Sequence, residues 1–540
     1  MQQTFIRRCI ISSAVIFSLG AAASWAVDVT VNWNDVKQKV TGFGASTAWD
    51  GSTMRNMAEP ARTNMMDLLF DTAKGIGLTM IRAQIPTNLE TSTGTWNWTG
   101  DAGQVWVMQQ AQQKYGVTRI WAAPWSPPAW MKSSNSTRGG SLLAQYYQAY
   151  ADYFSRYVRE YKSQFGIHFM GISMQNEPQA GGQPWDCCGY TGEQMRDYIK
   201  NYLGPTFVRD TIGATIIASE SNIQETQYID PILADAAAAR YVGVAAFHEY
   251  LGSGPPYQKA AAMGKELWET ETSNMGGNFD LGWPVAVQYA KQIYDYFTTK
   301  GANAWHYWWF TCAATGNGTQ GLIESANGGY VASKLVYYVG HFSKFVRPGW
   351  RMISVTPYVQ NGNGGNVHAA AFKDEKTGRF AIIVLNESIA SPGPTVTFHL
   401  QNFSPSSVTP YLTRGDQAIN LQKQTDIPVT NGTFSFQIQN VSIATFIGQG
   451  MPTPANASPV QMSSAQGITI AATTGGLKIH LQNPAAGSAT LATANGALAG
   501  RWEIAAAADQ TLALPAGASR QMYVVRLDFG GRTEIRRLMF

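Results

Sequence analysis

From about residue 40 to residue 310 the chain repeats one pattern. A short apolar run ends in polar or aromatic residues, and a stretch with apolar positions at helical spacing follows. Eight of the apolar runs read as strands, at 40–46, 79–85, 118–124, 169–175, 215–219, 242–248, 266–271 and 302–309. Helical periodicity occupies 142–165, 193–202 and 284–299 between them. Strands that alternate with helices pair in parallel, because each crossover brings the chain back to the same end of the sheet. Eight such units predict an α/β fold, a closed (β/α)8 TIM barrel over 40–345, rather than an open doubly wound sheet. No Gly-x-Gly-x-x-Gly follows the first strand, which argues against a dinucleotide-binding fold.

The period changes after Pro348. Runs at 366–372, 380–385, 395–400, 407–412 and 433–438 alternate apolar and polar residues, with Gly, Asn, Asp and Pro between them. Alternation of period two predicts an antiparallel β-sandwich over 346–448. Residues 28–33 alternate in the same way, so 27–39 are expected to add a strand to that sandwich. The composition of GQGMPTPANASP marks a linker, placed at 449–466. A small β module is expected at 467–540, with strands near 477–481, 489–493, 501–505 and 522–529. Its ending, LPAGASRQMYVVRLDFGGRTEIRRLMF, is similar to the C-terminal sorting modules of some outer-membrane secretion systems. A carbohydrate-binding module or a plain spacer are the alternatives.

Charge narrows the function classes. Charged residues make up only 14% of the 540, and the net charge is +4, with no Lys/Arg run, so no footprint for nucleic acid is present. Arg7 and Arg8, the apolar run 10–23 and Ser24-Trp25-Ala26 read as a signal peptide over 1–26, too short to span a bilayer. The expectation is a secreted or cell-surface protein without a membrane span. Cys187, Cys188 and Cys312 remain after cleavage. One bridge from Cys187 or Cys188 to Cys312, plus one free thiol, is the expected arrangement, with a vicinal Cys187–Cys188 bridge as the alternative. Metal ligation is the weakest reading of the three thiols.

Two glutamates carry the candidate chemistry. Asn176-Glu177-Pro178 ends the fourth predicted strand, and Thr270-Glu271-Thr272 ends the seventh. The 94 positions between the glutamates fit three βα units of roughly 30 residues each. Both carboxylates therefore fall on the C-terminal rim of one barrel, where barrel enzymes place reacting groups. Two carboxyl groups facing each other there are the layout of a retaining glycosidase, one serving as acid/base and the other as nucleophile. Period two puts Glu269 and Glu271 on the same face, and the last inward residue should be the nucleophile. A bulge near the strand end could reverse this choice, which leaves Glu269 as the runner-up. Trp49, Trp125, Trp130, Trp185, His248, Tyr250, Trp308 and Trp309 fall near the predicted rim, where flat rings can hold sugar faces. The plainer reading is that a large barrel needs aromatics in its core. Arg82, at the end of the second strand, must find an anion, since a guanidinium does not lose its proton. No Gly-x-Ser-x-Gly, His-Glu-x-x-His or phosphate-binding loop occurs, so neither metal nor cofactor is expected.

The segments GFGAS, IRAQI, PWSPPAWMK, MQNEP, FHEY, WETETS and FSKFVRPG, in that order, resemble glycoside hydrolase family 30 over 29–448. The resemblance implies a retaining enzyme with Glu177 as acid/base and Glu271 as nucleophile. It implies that Arg82, Trp125, Asn176, His248, Tyr250 and Trp308 bind the sugar, with Asn176 on the 2-hydroxyl and Tyr250 against the nucleophile. A plant-wall polysaccharide is the implied partner, most consistently for an endo-β-1,4-xylanase of glucuronoarabinoxylan type, working as a monomer. β-1,6-Galactanase, β-1,6-glucanase and glucosylceramidase-like activities are the alternatives within the family, and a non-catalytic carbohydrate-binding barrel is the alternative outside it. Glucuronoxylan-specific members carry an Arg after the eighth strand, whereas TCAATGNGTQG here has none.

Overall fold

The computed structural model describes residues 26–250, 254–313, 318–326, 328–356, 359–361, 365–389 and 391–450, and the strands between 462 and 539. The residues before Ala26, expected to form a signal peptide, and most of the expected linker lie outside the described residues.

Eight parallel strands form the barrel: β1 (Gly42–Ser46), β2 (Met80–Gln84), β3 (Arg119–Ala123), β4 (Phe169–Ser173), β5 (Thr215–Asn222), β6 (Val242–His248), β7 (Glu266–Glu271) and β8 (Ala304–Ala313). Each pairs with the next, and β8 pairs with both β7 and β1, which closes the sheet. These strands are buried on both faces, which is why they read as continuous apolar runs rather than alternating ones. Gly44 is required where β1 meets its neighbour: a Cβ there would lie 2.5 Å from the Met80 carbonyl oxygen.

The helix Tyr147–Phe165 shows how sequence sets the outer layer. Tyr150, Tyr153, Phe154, Tyr157 and Tyr161 recur at three- and four-residue spacing and are buried against the barrel. Gly166, at φ 69°, ends the helix in the left-handed conformation that glycine adopts most easily. The other two helical stretches are less regular than their periodicity predicts. Gly192–Tyr198 continues through a π turn at Ile199–Leu203 into Gly204–Arg209, and Trp283–Asp295 ends in a π turn at Tyr296–Lys300.

Inside the barrel, Trp121, Trp268, Met80, Ile217 and Val244 form a separate apolar plug. Trp121 Nε1 donates to His306 Nε2 at 3.0 Å, so the buried ring keeps its proton on Nδ1, 3.0 Å from the Glu269 carbonyl oxygen. Burial pushes His306 down to about 4, and the ring is neutral.

The strand Ala26–Lys39 lies between Arg351–Thr356, antiparallel, and Thr395–Gln401, parallel, in a mostly antiparallel sheet. Val27, Val29, Val31 and Trp33 alternate inward into its core. The helix Lys334–Ser343 fastens barrel to sheet. His341 contacts the Thr445 and Thr413 hydroxyls at 2.8 and 2.9 Å, and the Tyr338 hydroxyl donates to the Val441 carbonyl at 2.9 Å. Burial drives His341 down to about 3, so this junction holds without buried charge.

Contacts separate residues 1–451 from 452–540. The second unit contains two four-stranded antiparallel sheets, including a strand Arg532–Met539 that sequence reading passed over. The expected disulfide is absent, for Cys187, Cys188 and Cys312 are free, buried thiols. Their sulfurs are used locally instead. The Gly139 N–H donates to Cys187 Sγ at 3.2 Å, and Cys312 is held near the Gly321 and Gln320 amides.

Because the two units have separate cores, a chain ending at Gly450 should fold by itself. Its thermal midpoint should lie within about 2 °C of the full chain's barrel transition, which for a unit this large is no more than about 2 kcal/mol. Circular dichroism checks this, and loss of the cooperative transition counts against it.

Candidate active site

Arg82 is the centre of the rim. It is wholly buried at the inner face of β2. Its Nη1 bonds Glu271 Oε2, while Nη2 donates to Asn176 Oδ1 at 2.5 Å and to Glu220 Oε1 at 2.9 Å. The guanidinium carbon stands 4.6 Å from the Trp125 ring centroid and 5.5 Å from that of Trp308. With its Oδ1 held by Arg82, Asn176 can offer a ligand its NH2 group as donor.

Glu271 closes β7. The Tyr250 hydroxyl donates to its Oε1 at 2.9 Å, so both carboxylate oxygens are oriented. Burial raises Glu271 above the ordinary carboxylate range, with a smaller push from Glu177, while His248 and Arg82 pull the other way. A proton on Glu177 removes that repulsion and favours charge on Glu271.

Glu177 sits just beyond β4 at φ 45°. Its side chain is 15% exposed, against 7% for Glu271, so Glu177 faces the more open side. His248 Nδ1 lies 3.2 Å from Glu177 Oε1, and His248 Nε2 is 3.7 Å from Glu220 Oε1 and 3.8 Å from Glu271 Oε2. Burial opposes charge on this ring, but the carboxylates of Glu271, Glu177 and Glu220 outweigh it and lift His248 to about 10. The surrounding carboxyl groups thus favour the imidazolium form of His248. One donor atom each from Glu177, His248 and Glu271 lie within 4.8 Å of one another.

A profile of the Glycosyl hydrolase family 30 TIM-barrel domain matches residues 40–346. The chain belongs to glycoside hydrolase family 30. Glucuronoxylanase XynC of Bacillus subtilis strain 168 is 28% identical over 452 residues, covering 81% of this chain and 96% of that protein. Mouse lysosomal acid glucosylceramidase is 25% identical over 270 residues, 44% of this chain and 51% of that one. Among solved structures, the family 30 subfamily 8 xylanase Xyn30A of Clostridium acetobutylicum superposes with a TM-score of 0.66 at 29% identity, over 78% of this chain and 99% of that one. A family 30 endoxylanase of Clostridium papyrosolvens C71 does so with a TM-score of 0.66 at 31% identity, over 78% and 100%. The protein is thus a glycoside hydrolase.

In this family 30 hydrolase the aromatic residues named from sequence part into two groups. Trp49, Trp125 and Trp308 form one wall, with centroids 4.9 Å apart for Trp49–Trp125 and 5.5 Å for Trp125–Trp308. Trp309 stacks behind Trp308 at 4.8 Å, its Nε1 donating to the Ala48 carbonyl at 2.7 Å. Trp130 does not join them. It packs on Tyr146 and donates to the Glu90 carbonyl, which is a structural task. Trp185 is exposed on the loop after β4.

Glu269 points inward below Glu271. Its carboxylate accepts the Glu271 and His306 amide N–H groups, both at 3.0 Å, and burial raises it far above the ordinary range. Glu220 is the site residue that sequence reading missed. The expected strand stopped at residue 219, while β5 runs on to Asn222. A lone Glu inside an otherwise uncharged strand was the available signal. Cavity size is a poor guide here. A concavity of about 850 Å³ lies at the opposite end, beside Glu266, Asn303 and Arg351, whereas one of about 610 Å³ opens beside Tyr250, Ser273 and Asn274.

Trp49, at φ 58°, is carried by a turn whose Asp50 is buried with Oδ2 unpartnered among the described residues. Burial pushes Asp50 up to about 8. An acid raised in the folded state supports folding fully below its unfolded value of about 4 and loses that support as pH climbs to the folded value. Asp50→Asn should therefore gain stability relative to the unsubstituted chain between about pH 4 and pH 8, on the order of 2–5 kcal/mol. Denaturant unfolding across that range checks it, and a constant difference at all pH values contradicts it.

Proposed function

We propose that this hydrolase is a retaining endo-β-1,4-xylanase in which Glu271 is the nucleophile and Glu177 the acid/base. The observation that carries this reading is the close approach of the two carboxylates, which share His248 with donor atoms inside 4.8 Å. Retaining enzymes hold their carboxyl groups about 5–5.5 Å apart, while inverting ones need about 6.5–9.5 Å to admit a water. Xylan as substrate is supported by glucuronoxylanase XynC and the two clostridial xylanases, which align over nearly their whole lengths. No Arg lies in the segment after β8, so recognition rests on the xylan backbone and the tryptophan wall. The leader-like residues 1–26 support export of the enzyme to its polymer.

In this mechanism Glu271, held by Arg82 and Tyr250, attacks the anomeric carbon. Glu177 gives its proton to the leaving oxygen, and the bond to the leaving sugar breaks. The imidazolium of His248 then steadies the new charge on Glu177. A water gives its proton to Glu177 and displaces Glu271 from the anomeric carbon, which restores the starting configuration. The Asn176 NH2 group donates to the 2-hydroxyl.

Glu271→Gln and Glu177→Gln should each lower kcat on xylan by at least about 10³-fold. Glu269→Gln, whose acid is already protonated and buried, should lose far less. Reducing-sugar release and product sizing on xylan measure this, and undiminished release by Glu271→Gln excludes the assignment. Proton NMR of fresh products should show the β anomer first; the α anomer first would mean inversion.

A further inference from the structure

β5 carries an irregularity at the rim. Ser219 pairs with Ala246 and Ser221 with Phe247, which leaves Glu220 as an extra residue opposite no partner. Ser219 and Glu220 both have positive φ, 88° and 49°. Side-chain-bearing residues adopt that region at an energetic cost, and such cost persists where the fold fixes it for a purpose. Its effect here is to turn a carboxylate inward that regular alternation would have directed elsewhere.

The Glu220 carboxylate is completely buried. Its Oε1 stands between the Arg82 guanidinium and His248 Nε2, at 2.9 and 3.7 Å. The Ser173 hydroxyl lies close enough to favour the ionised carboxylate, while His248 Nε2 faces Glu220 without a hydrogen-bond partner among the described residues. His248 reaches Glu177 through its other nitrogen. The groups that face the ring are Glu177 beyond β4, Glu220 on β5, Tyr250 beyond β6, and Glu271 with the deeper Glu269 on β7. Arg82 on β2 touches Glu220 and Glu271 but not the ring.

We propose that Glu220 is a positioning residue that keeps His248 an imidazolium throughout the reaction, and so sets the pH range over which Glu177 transfers its proton. It touches no substrate and acts through the ring and through Arg82. This inference rests on the retaining mechanism proposed above. Burial opposes ionisation of Glu220, but Arg82 and then His248 overcome it and hold the carboxyl below its ordinary range. Removing its negative charge makes the charged forms of nearby acids easier to reach and the charged form of the ring harder to keep. Both changes move the alkaline limb of activity in one direction, toward acid.

The test compares Glu220→Gln and Glu220→Asp in the full chain on xylan. For Glu220→Gln the alkaline limb of kcat/KM should move acidward by about one pH unit, with kcat at neutral pH down about tenfold or more and KM little changed. Glu220→Asp, which keeps the charge, should leave the limb near its original place. A Glu220→Gln profile lowered uniformly, with its limb unmoved, overturns the proposal. Nitrogen NMR of histidine-labelled unsubstituted chain, with the His248 signal assigned by its loss in His248→Gln, supplies a readout that needs neither substrate nor a folded Glu220 variant. Both ring nitrogens should stay protonated to about pH 8; titration near the ordinary value of about 6.5 overturns it. Failure of the chain to cleave xylan would sink the substrate reading, while the ring titration compared between the unsubstituted chain and Glu220→Gln still judges Glu220.

Discussion

A guanidinium that cannot shed its proton is buried completely at the mouth of this barrel, and the site is arranged around that fact. A buried cation of fixed charge must be matched by anions and hydrogen-bond acceptors, or the fold bears a desolvation cost of several kcal/mol. Arg82 meets the requirement with Glu271, Glu220 and Asn176, each from a different strand end. Trp125 and Trp308 cover its faces. One side chain thus orients the proposed nucleophile, fixes the Asn176 amide through its Oδ1, and backs the aromatic wall.

The backbone delivers these groups by departing from regular geometry where chemistry needs it. Pairing shifts by one residue in β5 at Glu220 and in β7 between Glu269 and Glu271. The shift in β7 leaves Glu269 and Glu271 both buried, one above the other, and the environments then divide their roles. The upper carboxylate meets Arg82, Tyr250 and His248. The lower one meets two amide N–H groups and apolar surroundings that keep it protonated. Size and charge type are the same; depth in the barrel decides.

This also explains what could be read from the chain. Strand ends were legible because parallel barrel strands are apolar runs cut off by polar residues, and that rule located Glu177, Glu271 and Arg82 without any partner in view. Glu220 was not legible, since alternation assigns faces only while pairing stays regular, and a bulge is set by the neighbouring strand. Trp130 sits in the same Pro-rich segment as Trp125, yet one turns to Glu90 and Tyr146 and the other to Arg82. Composition cannot separate them, because the choice is made by tertiary packing. The three thiols misled for a similar reason. Export predicts bridges by compartment, whereas local amides occupy Cys187 and Cys312 in a core large enough to need no covalent staple.

Charge conservation joins these parts. In the proposed mechanism the site before attack holds Arg82 and His248 as cations and Glu220 and Glu271 as anions, with the proton to be transferred on Glu177, and the sum is zero. After attack Glu271 is an uncharged ester and Glu177 is the anion, so the sum is still zero. A negative charge has moved a few ångströms across a site whose dipoles and ion pairs are already in place, and little reorganisation is needed. Without Glu220 the same two states would each carry an uncompensated buried positive charge, and the ring beside Glu177 would lose its proton to relieve it. The strained residue on β5 is therefore the term that lets two buried cations serve two carboxylates that are never both charged.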